Sequence, residues 1–295
     1  MFPVQFRQFG LQRLIEPYGE FSPMGSLWSF MAASTPYTIF AGTSEVLGGL
    51  LLLFRRTVTL GSLVAFGVLV NVVMMNFCYD VPVKLYSTNL LLMAGYLASR
   101  DLRRLFGFFI GNRATSPANL TYPRFRRRGL RLAAILFQIV FVGNVLFDSI
   151  DSGWKSYQTV RIHPVRPPIY GLWEVETFTR NGLDVPALVT DGTRWRTLVA
   201  DYPGSVTVRM MNDVTKGYAA EYDAAKKTVA LTAADEPEQR PKDTLSYDRP
   251  DIDHLSIEGS VSNDRISMRL RKIDTSGFLL LSRGFHWIEE VPLNR

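Results

Sequence analysis

The stretch Ala41-Gly-Thr-Ser-Glu-Val-Leu-Gly-Gly-Leu-Leu-Leu-Leu-Phe-Arg-Arg-Thr57 decides how this chain is read. Its first part closes an apolar run that starts at Tyr37 and ends at Phe54. The pair Arg55-Arg56 stops that run, and a second apolar run, Thr57 to Phe77, begins at once. A bilayer core of about 30 Å is crossed by about 20 apolar residues of helix. Two such segments separated by two arginines therefore form a tight hairpin of spans.

The same pattern extends outward. A third run, residues 84–99, is short for a span, but Leu102, Leu105, Phe106, Phe108, Phe109 and Ile110 continue its apolar surface as an interfacial helix. A fourth run, Leu130 to Ile150, follows Arg124-Phe-Arg-Arg-Arg128. Residues 1–155 are thus expected to form an α-helical integral membrane bundle of about four spans, at about 37–54, 57–77, 84–99 and 130–150. Before it, residues 1–35 read as a short extramembrane stretch. Ser22 and Pro23 suit the N-cap and first position of a short helix. Its apolar face, Met24, Leu27, Trp28 and Met31, suits a membrane surface.

The charge divides with the hydropathy. Residues 1–162 carry 16 Lys and Arg against 7 Asp and Glu, while residues 163–295 carry 17 against 20. The basic excess therefore belongs to the apolar half. Its cationic runs sit between apolar segments, as cytoplasmic loops do, so the expected partner is a lipid bilayer and not nucleic acid. Arg55 and Arg56 in the 1/2 loop, and Arg100, Arg103, Arg104, Arg113, Arg124, Arg126, Arg127, Arg128 and Arg131 in the 3/4 loop, place those loops in the cytoplasm. The amino terminus, the 2/3 loop and everything after Ile150 then lie outside. The sequon Asn119-Leu-Thr121 falls on the cytoplasmic side and is discounted.

Residues 151–168 read as a linker, ending in His163-Pro-Val-Arg-Pro-Pro168. Beyond it the period changes to two. Trp173, Val175 and Thr177 alternate with Glu174, Glu176 and Phe178. Val206, Val208 and Met210 form a second such set, and Ile266, Met268 and Leu270 a third. Pro203-Gly204, Asp223-Ala-Ala-Lys226 and Asn263-Asp264 are hairpin turns. Eight or nine strands in residues 163–295 suit a soluble antiparallel β-barrel-like domain, with a mobile loop at 233–242.

Chemistry-bearing residues are sparse. Cys78 is the one cysteine, which excludes an internal disulfide and a Cys-based metal site. His163, His254 and His286 lack zinc-ligand spacing, and no nucleotide-binding or nucleophile-elbow motif occurs. No metal is expected, and an enzyme acting alone is disfavoured. Glu45 lies near the middle of the first span, where an ionisable group is costly unless it is paired, neutralised or faces water. It is expected to face the bundle interior, with Gly48 and Gly49 admitting a neighbouring helix. It is either a proton, quinone or headgroup site or a protonated structural group. Asn71, Asn76 and Asn89, with Gln138 and Asn144, are further intramembrane amides, read mainly as interhelical hydrogen-bonding groups. Cys78, Tyr79, Asp80, Lys84 and Tyr86 gather at one outer boundary. Asp80 and Lys84 suit an ion pair. The cluster is either an aromatic belt or a site for a lipid, quinone or thiol partner.

Residues 41–57 resemble the second helix of the DoxX family of small bacterial membrane proteins, with its Glu-x-x-Gly-Gly-Leu core. Asn76 to Ser87 resembles a subgroup with a carboxy-terminal soluble extension, as does the ending Arg283-Gly-Phe-His-Trp-Ile288. The resemblance covers about residues 1–110. It implies a bacterial cytoplasmic membrane location, and association with thiosulfate:quinone oxidoreductases or oxidative-defence complexes as a non-catalytic component. Quinone is the implied cofactor and redox proteins the implied partners. It also implies hydrophobic helices upstream of the stretch matching Phe2-Pro-Val-Gln-Phe6, and hence an amino-terminal truncation or a misassigned start. Gly171-Leu-Trp173 is similar to the Gly-x-Trp of lipocalin-like barrels, in which the tryptophan packs the closed end. That likeness implies, as an alternative, a tethered module that binds a lipid or small hydrophobic ligand.

Overall fold

The computed structural model describes residues 10–117, 128–233 and 242–288. The chain divides into two compact units.

The helical unit begins with α2 (Pro23–Ala33), which the Ser22 side chain caps by accepting the Gly25 N–H at 3.0 Å. Its Leu27 and Met31 are buried against Val81, with Met24, Trp28, Ala41 and Met75 around them. The face expected to lie on a membrane surface is therefore used up in packing. Burying it on neighbouring helices removes the same apolar area from water that a bilayer would. Helix α3 (Thr35–Leu53) follows after one residue, and the Thr38 hydroxyl donates back to the Met31 carbonyl at 2.8 Å. After the Arg55-Arg56 turn, α4 (Val58–Cys78) packs against α3. A Cβ on Gly48 would lie 3.2 Å from Ala65, so the missing side chain sets how closely the two helices approach.

Helix α5 (Lys84–Ser99) also packs against α4, and α6 (Leu102–Phe109) carries Leu102, Phe106, Phe108 and Phe109 exposed. The junction is pinned by Asp101, which accepts hydrogen bonds from the Thr59 hydroxyl and, at 2.7 Å, from Arg104. These two donors hold the Asp101 carboxyl below the usual range. Helix α7 (Arg128–Tyr157) has no buried residue. It continues as a π-helical turn through Ile162, so the linker expected at 151–168 is helical for most of its length. The Lys155–Asp151 pair at 2.6 Å and the stacking of Trp154 on Tyr157 support that polar end at helical spacing. Among the described residues, α3, α4 and 128–162 are long and apolar enough to cross a membrane; α5 is shorter, at 16 residues. The sequon and most of the 233–242 loop lie outside the described residues.

The second unit holds a short helix, α1 (Leu11–Ile15), and a barrel. Its strands are β1 (Gly171–Arg180), β2 (Leu183–Asp184), β3 (Trp195–Ala200), β4 (Ser205–Met210), β5 (Thr215–Asp223), β6 (Thr228–Ala233), β7 (Asp243–Asp248), β8 (His254–Val261) and β9 (Asp264–Lys272). Each of β3 to β9 pairs antiparallel with its sequence neighbour, β1 pairs with β3, and β1 also pairs with β9. Eight antiparallel strands therefore close on themselves, with β2 as a short appendage to β1. Two of the three turns fall where expected; the third lies one residue earlier, at Ser262 (φ +51°) and Asn263 (φ +71°), with Asp264 opening β9.

The inward residues of β4 and β9 are those the alternation picks out: Val206, Val208, Met210, Ile266, Met268 and Leu270 are all buried. Strand β1 departs from it. Its register shifts between Val175 and Thr177, so Glu176 is an extra residue, Thr177 turns outward and Phe178 turns into the core. A bulge leaves a backbone group without its ladder partner. Here the Glu176 carbonyl accepts from Arg194, which is only 4% exposed and also donates to the Val185 carbonyl at 2.9 Å.

Trp173 is fully buried and donates its indole N–H to the Ile169 carbonyl at 2.9 Å, while the Arg249 guanidinium lies 5.5 Å from its ring centre. Gly171 makes this fit possible. Its φ is +154°, and a Cβ there would come within 2.8 Å of the indole nitrogen. Gly171→Ala is accordingly expected to destabilise the barrel by about 1–3 kcal/mol, the range for overpacking a tight core. Denaturant unfolding followed by near-UV circular dichroism reads this, and an unchanged midpoint would refute it.

Candidate functional site

The boundary cluster is built by the α4–α5 turn. The Asn76 side-chain amide donates to the Ser87 hydroxyl at 2.9 Å within buried surroundings, and the Asn76 carbonyl accepts the Val81 N–H at 3.0 Å. One asparagine thus ties the end of α4 to the start of α5 and shapes the turn between them. Asp80 sits at φ +53°, a conformation that aspartate tolerates, and accepts from Lys84 at 2.5 Å. The lysine holds the Asp80 carboxyl below the usual range. The pair is exposed, so it contributes little to stability. Cys78, Tyr79 and Tyr86 are exposed beside it.

The four intramembrane candidates do not converge. Asn76 is buried and bonded to Ser87; Glu45, Asn71 and Asn89 are exposed on α3, α4 and α5, and no hydrogen bond joins any two of the four. Glu45 was expected inside the bundle. Gly48 instead occupies the contact with α4, and Glu45 falls on the flank of that contact together with Gly49, whose surroundings are open. Asn89 borders a shallow groove of about 440 Å³ with Leu92, Met93, Tyr96 and Leu97, one face of α5 at helical spacing.

The barrel interior is filled. Trp173, Phe178, Leu198, Leu245, Leu255, Ile257 and Leu270 are each at most 2% exposed and form one continuous core. Tyr222 carries a buried hydroxyl that has no hydrogen-bond partner among the described residues, and burial pushes its ionisation well up. Gly171 and Trp173, singled out together in the sequence, are in direct contact at one end of this core.

One arrangement has no counterpart in the sequence reading. Helix α1 is seated on the barrel. Leu11 is buried with Leu172 and Val199, and Leu14, Ile15, Tyr170, Ile273 and Phe278 pack around them. Asp201, just after β3, accepts the Leu11 N–H at 2.8 Å, and Arg209 on β4 donates to the Ile15 carbonyl at 2.6 Å. An acid at the amino end and a base at the carboxyl end match the partial charges of the helix termini. Gly10 leaves room for this, since a Cβ there would lie 2.7 Å from the Asp201 carboxylate. The available signal was Leu11, Leu14 and Ile15 at helical spacing; what they pack against is not encoded locally.

These features define a chain with a helical unit apolar enough for a membrane and a closed eight-stranded antiparallel barrel. No known family model and no solved structure matches it. It is similar to the uncharacterized protein YwoB of Bacillus subtilis (strain 168), with 38% identity over 82 residues. Those residues are 28% of this chain and 53% of that protein, so the chain spans about half the length of this relative.

Asp201 tests the seating of α1. Burial raises its carboxyl above the ordinary range, against the opposing pull of the Leu11 N–H and Arg166. A raised pKa means that the folded state holds the proton more tightly, so this group's contribution to stability falls as pH rises from the unfolded value through the raised one. Asp201→Ala is expected to weaken the seating by about 1 kcal/mol, as loss of a helix cap does, and to speed amide exchange at residues 11–15. Asp201→Asn keeps the acceptor without the buried charge, so it should retain slow exchange and flatten the pH dependence. Equal exchange in wild type and Asp201→Ala would show that the bond does not hold α1.

Proposed function

We propose that this chain is a multi-pass protein of the bacterial cytoplasmic membrane, DoxX-like in its helical half, that serves without catalysis of its own as a component of a redox or quinone-linked assembly. The observation that carries this reading is the exposure of Glu45, Asn71 and Asn89 on apolar helices. A carboxyl group directed at hydrocarbon costs several kcal/mol unless something partners it. A helix of another protein beside Gly49, or a quinone head group at the Asn89 groove, would supply such a partner. The alternative reading, a barrel that carries a lipid or small hydrophobe, draws on the fold, but the core side chains already occupy the space a ligand would need.

The reading includes a topology. Residues 10–17 and the barrel are one compact body, while α3, α4, α5 and α7 lie between them in the chain. A chain that leaves one body and returns to it on the same side of a bilayer crosses an even number of times. The spans α3, α4 and α7 make three, so α5 makes the fourth. At about 1.5 Å per residue it reaches about 24 Å, which local thinning and snorkelling flanks accommodate. The arginines of the 1/2 and 3/4 loops put those loops in the cytoplasm and the barrel outside.

Two experiments test this. Glu45→Gln, expressed in its native host at wild-type levels, is expected to lose a quinone or a membrane partner that copurifies with the wild type. A wild type that copurifies with neither, or a variant that retains both, would count against the redox reading. For the topology, single cysteines in a Cys78→Ser background are labelled in intact cells with a membrane-impermeant maleimide. Lys216→Cys on β5 should react and Arg113→Cys should react only after lysis. The reverse pattern would invert the orientation, and equal exposure of Arg113→Cys in intact cells would remove the fourth crossing.

A further inference from the structure

The barrel ends in a segment whose apolar side chains turn away from it. After β9, Asp274 caps a single turn by accepting the Ser276 N–H at 2.9 Å, Phe278 packs into the cluster that seats α1, and α8 (Leu279–Ser282) follows. Beyond Phe278 the burial stops. Leu279, Leu280, Phe285 and Ile288 are each more than half exposed, and Trp287 is 91% exposed. Phe285 and Trp287 pack edge to face on each other, with ring centres 5.3 Å apart. Arg283 and His286 lie among them, and the His286 ring meets the Arg283 carbonyl at 2.7 Å.

We infer that residues 279–288 insert into the head-group region of the bilayer and form a membrane contact of the barrel separate from the spans. Two observations select a lipid surface as the occupant. First, an exposed tryptophan and phenylalanine among leucines is the composition that settles at a bilayer interface, where the rings sit at head-group depth. Second, Phe278 fixes the start of the segment at the barrel end that bears α1 and the start of β1, Leu172. Both connections to the apolar helices leave from that end, through residues 10–17 and through the residues before Gly171. The segment therefore begins at the barrel end from which the chain leads to the apolar helices.

This inference rests on membrane insertion of the helices and not on the redox assignment, and the test separates them. The full chain, as Cys78→Ser with a single added cysteine, carries a polarity-sensitive fluorophore and is reconstituted in vesicles of phosphatidylcholine with phosphatidylglycerol. Trp287→Cys is the test position, Leu280→Cys a second in case the first perturbs folding, Leu136→Cys on α7 the control for insertion, and Lys216→Cys the control for water. With the α7 probe quenched by deep nitroxide lipids, the Trp287 and Leu280 probes are expected to be blue-shifted, quenched by head-group nitroxide lipids and shielded from iodide. Iodide quenching like that of the Lys216 probe, with no quenching by lipid, would overturn the inference while leaving the spans intact. Shielding from iodide without lipid quenching, and increasing with protein-to-lipid ratio, would assign the segment to a second copy of the chain and also overturn it.

Discussion

The antiparallel pairing of β1 with β9 is the contact on which the rest of the barrel unit depends. A sheet of eight strands left open would present two rows of unpaired backbone groups to any other chain, and β1 and β9 close that gap from Trp173↔Lys272 to Arg180↔Ile266. Outside the seam, Arg271 bonds Glu174 and Glu176, and Asp264 takes both Arg180 and Asn181. The Arg271 pairs are exposed and the Arg180–Asp264 pair is half-buried, and they contribute register more than energy. Inside it, Trp173, Phe178, Met268 and Leu270 fill the lumen. The bulge at Glu176 belongs to the same closure: a strand that must curve to meet its distant partner gains twist from one extra residue, and Arg194 satisfies the carbonyl the bulge leaves over.

Closure also creates the surface on which α1 rests. Leu172 and Val199 are cross-strand partners on β1 and β3, and the closure of β1 on β9 brings Ile273 beside them, its N–H donating to the Leu172 carbonyl. Asp201 and Arg209 then meet the two ends of a helix that precedes the first span. A segment on the amino side of the helices and a domain on their carboxyl side become one body.

In the helical unit the constraint is of another kind. An apolar helix in lipid has its backbone bonds satisfied internally, so little forces α7 to pack, and none of its residues is buried. Where helices do pack, small residues decide the approach, as Gly48 does against Ala65. Polar groups were legible as polar groups but not as partners. Asn76 found Ser87 eleven residues on, a pairing that needs the α4–α5 turn already formed. Glu45 did not turn inward, because Gly48 one turn along offers the closer fit to α4.

By itself the sequence determined what depends on local pattern. Period and length placed four apolar helices and the strands, arginine pairs placed the breaks between spans, and Pro-Gly, Asp-Ala-Ala-Lys and Asn-Asp placed the hairpins. These follow from side-chain chemistry acting over a few residues. The tertiary structure decided what depends on residues distant in the chain: closure of β1 on β9, the bulge that exchanges Thr177 for Phe178 in the core, the burial of the α2 face, and the seating of α1 between Asp201 and Arg209. The physical reason is one of range. Hydrophobic burial is non-directional, so an apolar face on α1, on α2 or at residues 279–288 reads alike in sequence, and only the surfaces that the folded chain offers distinguish a face that is covered from one left exposed.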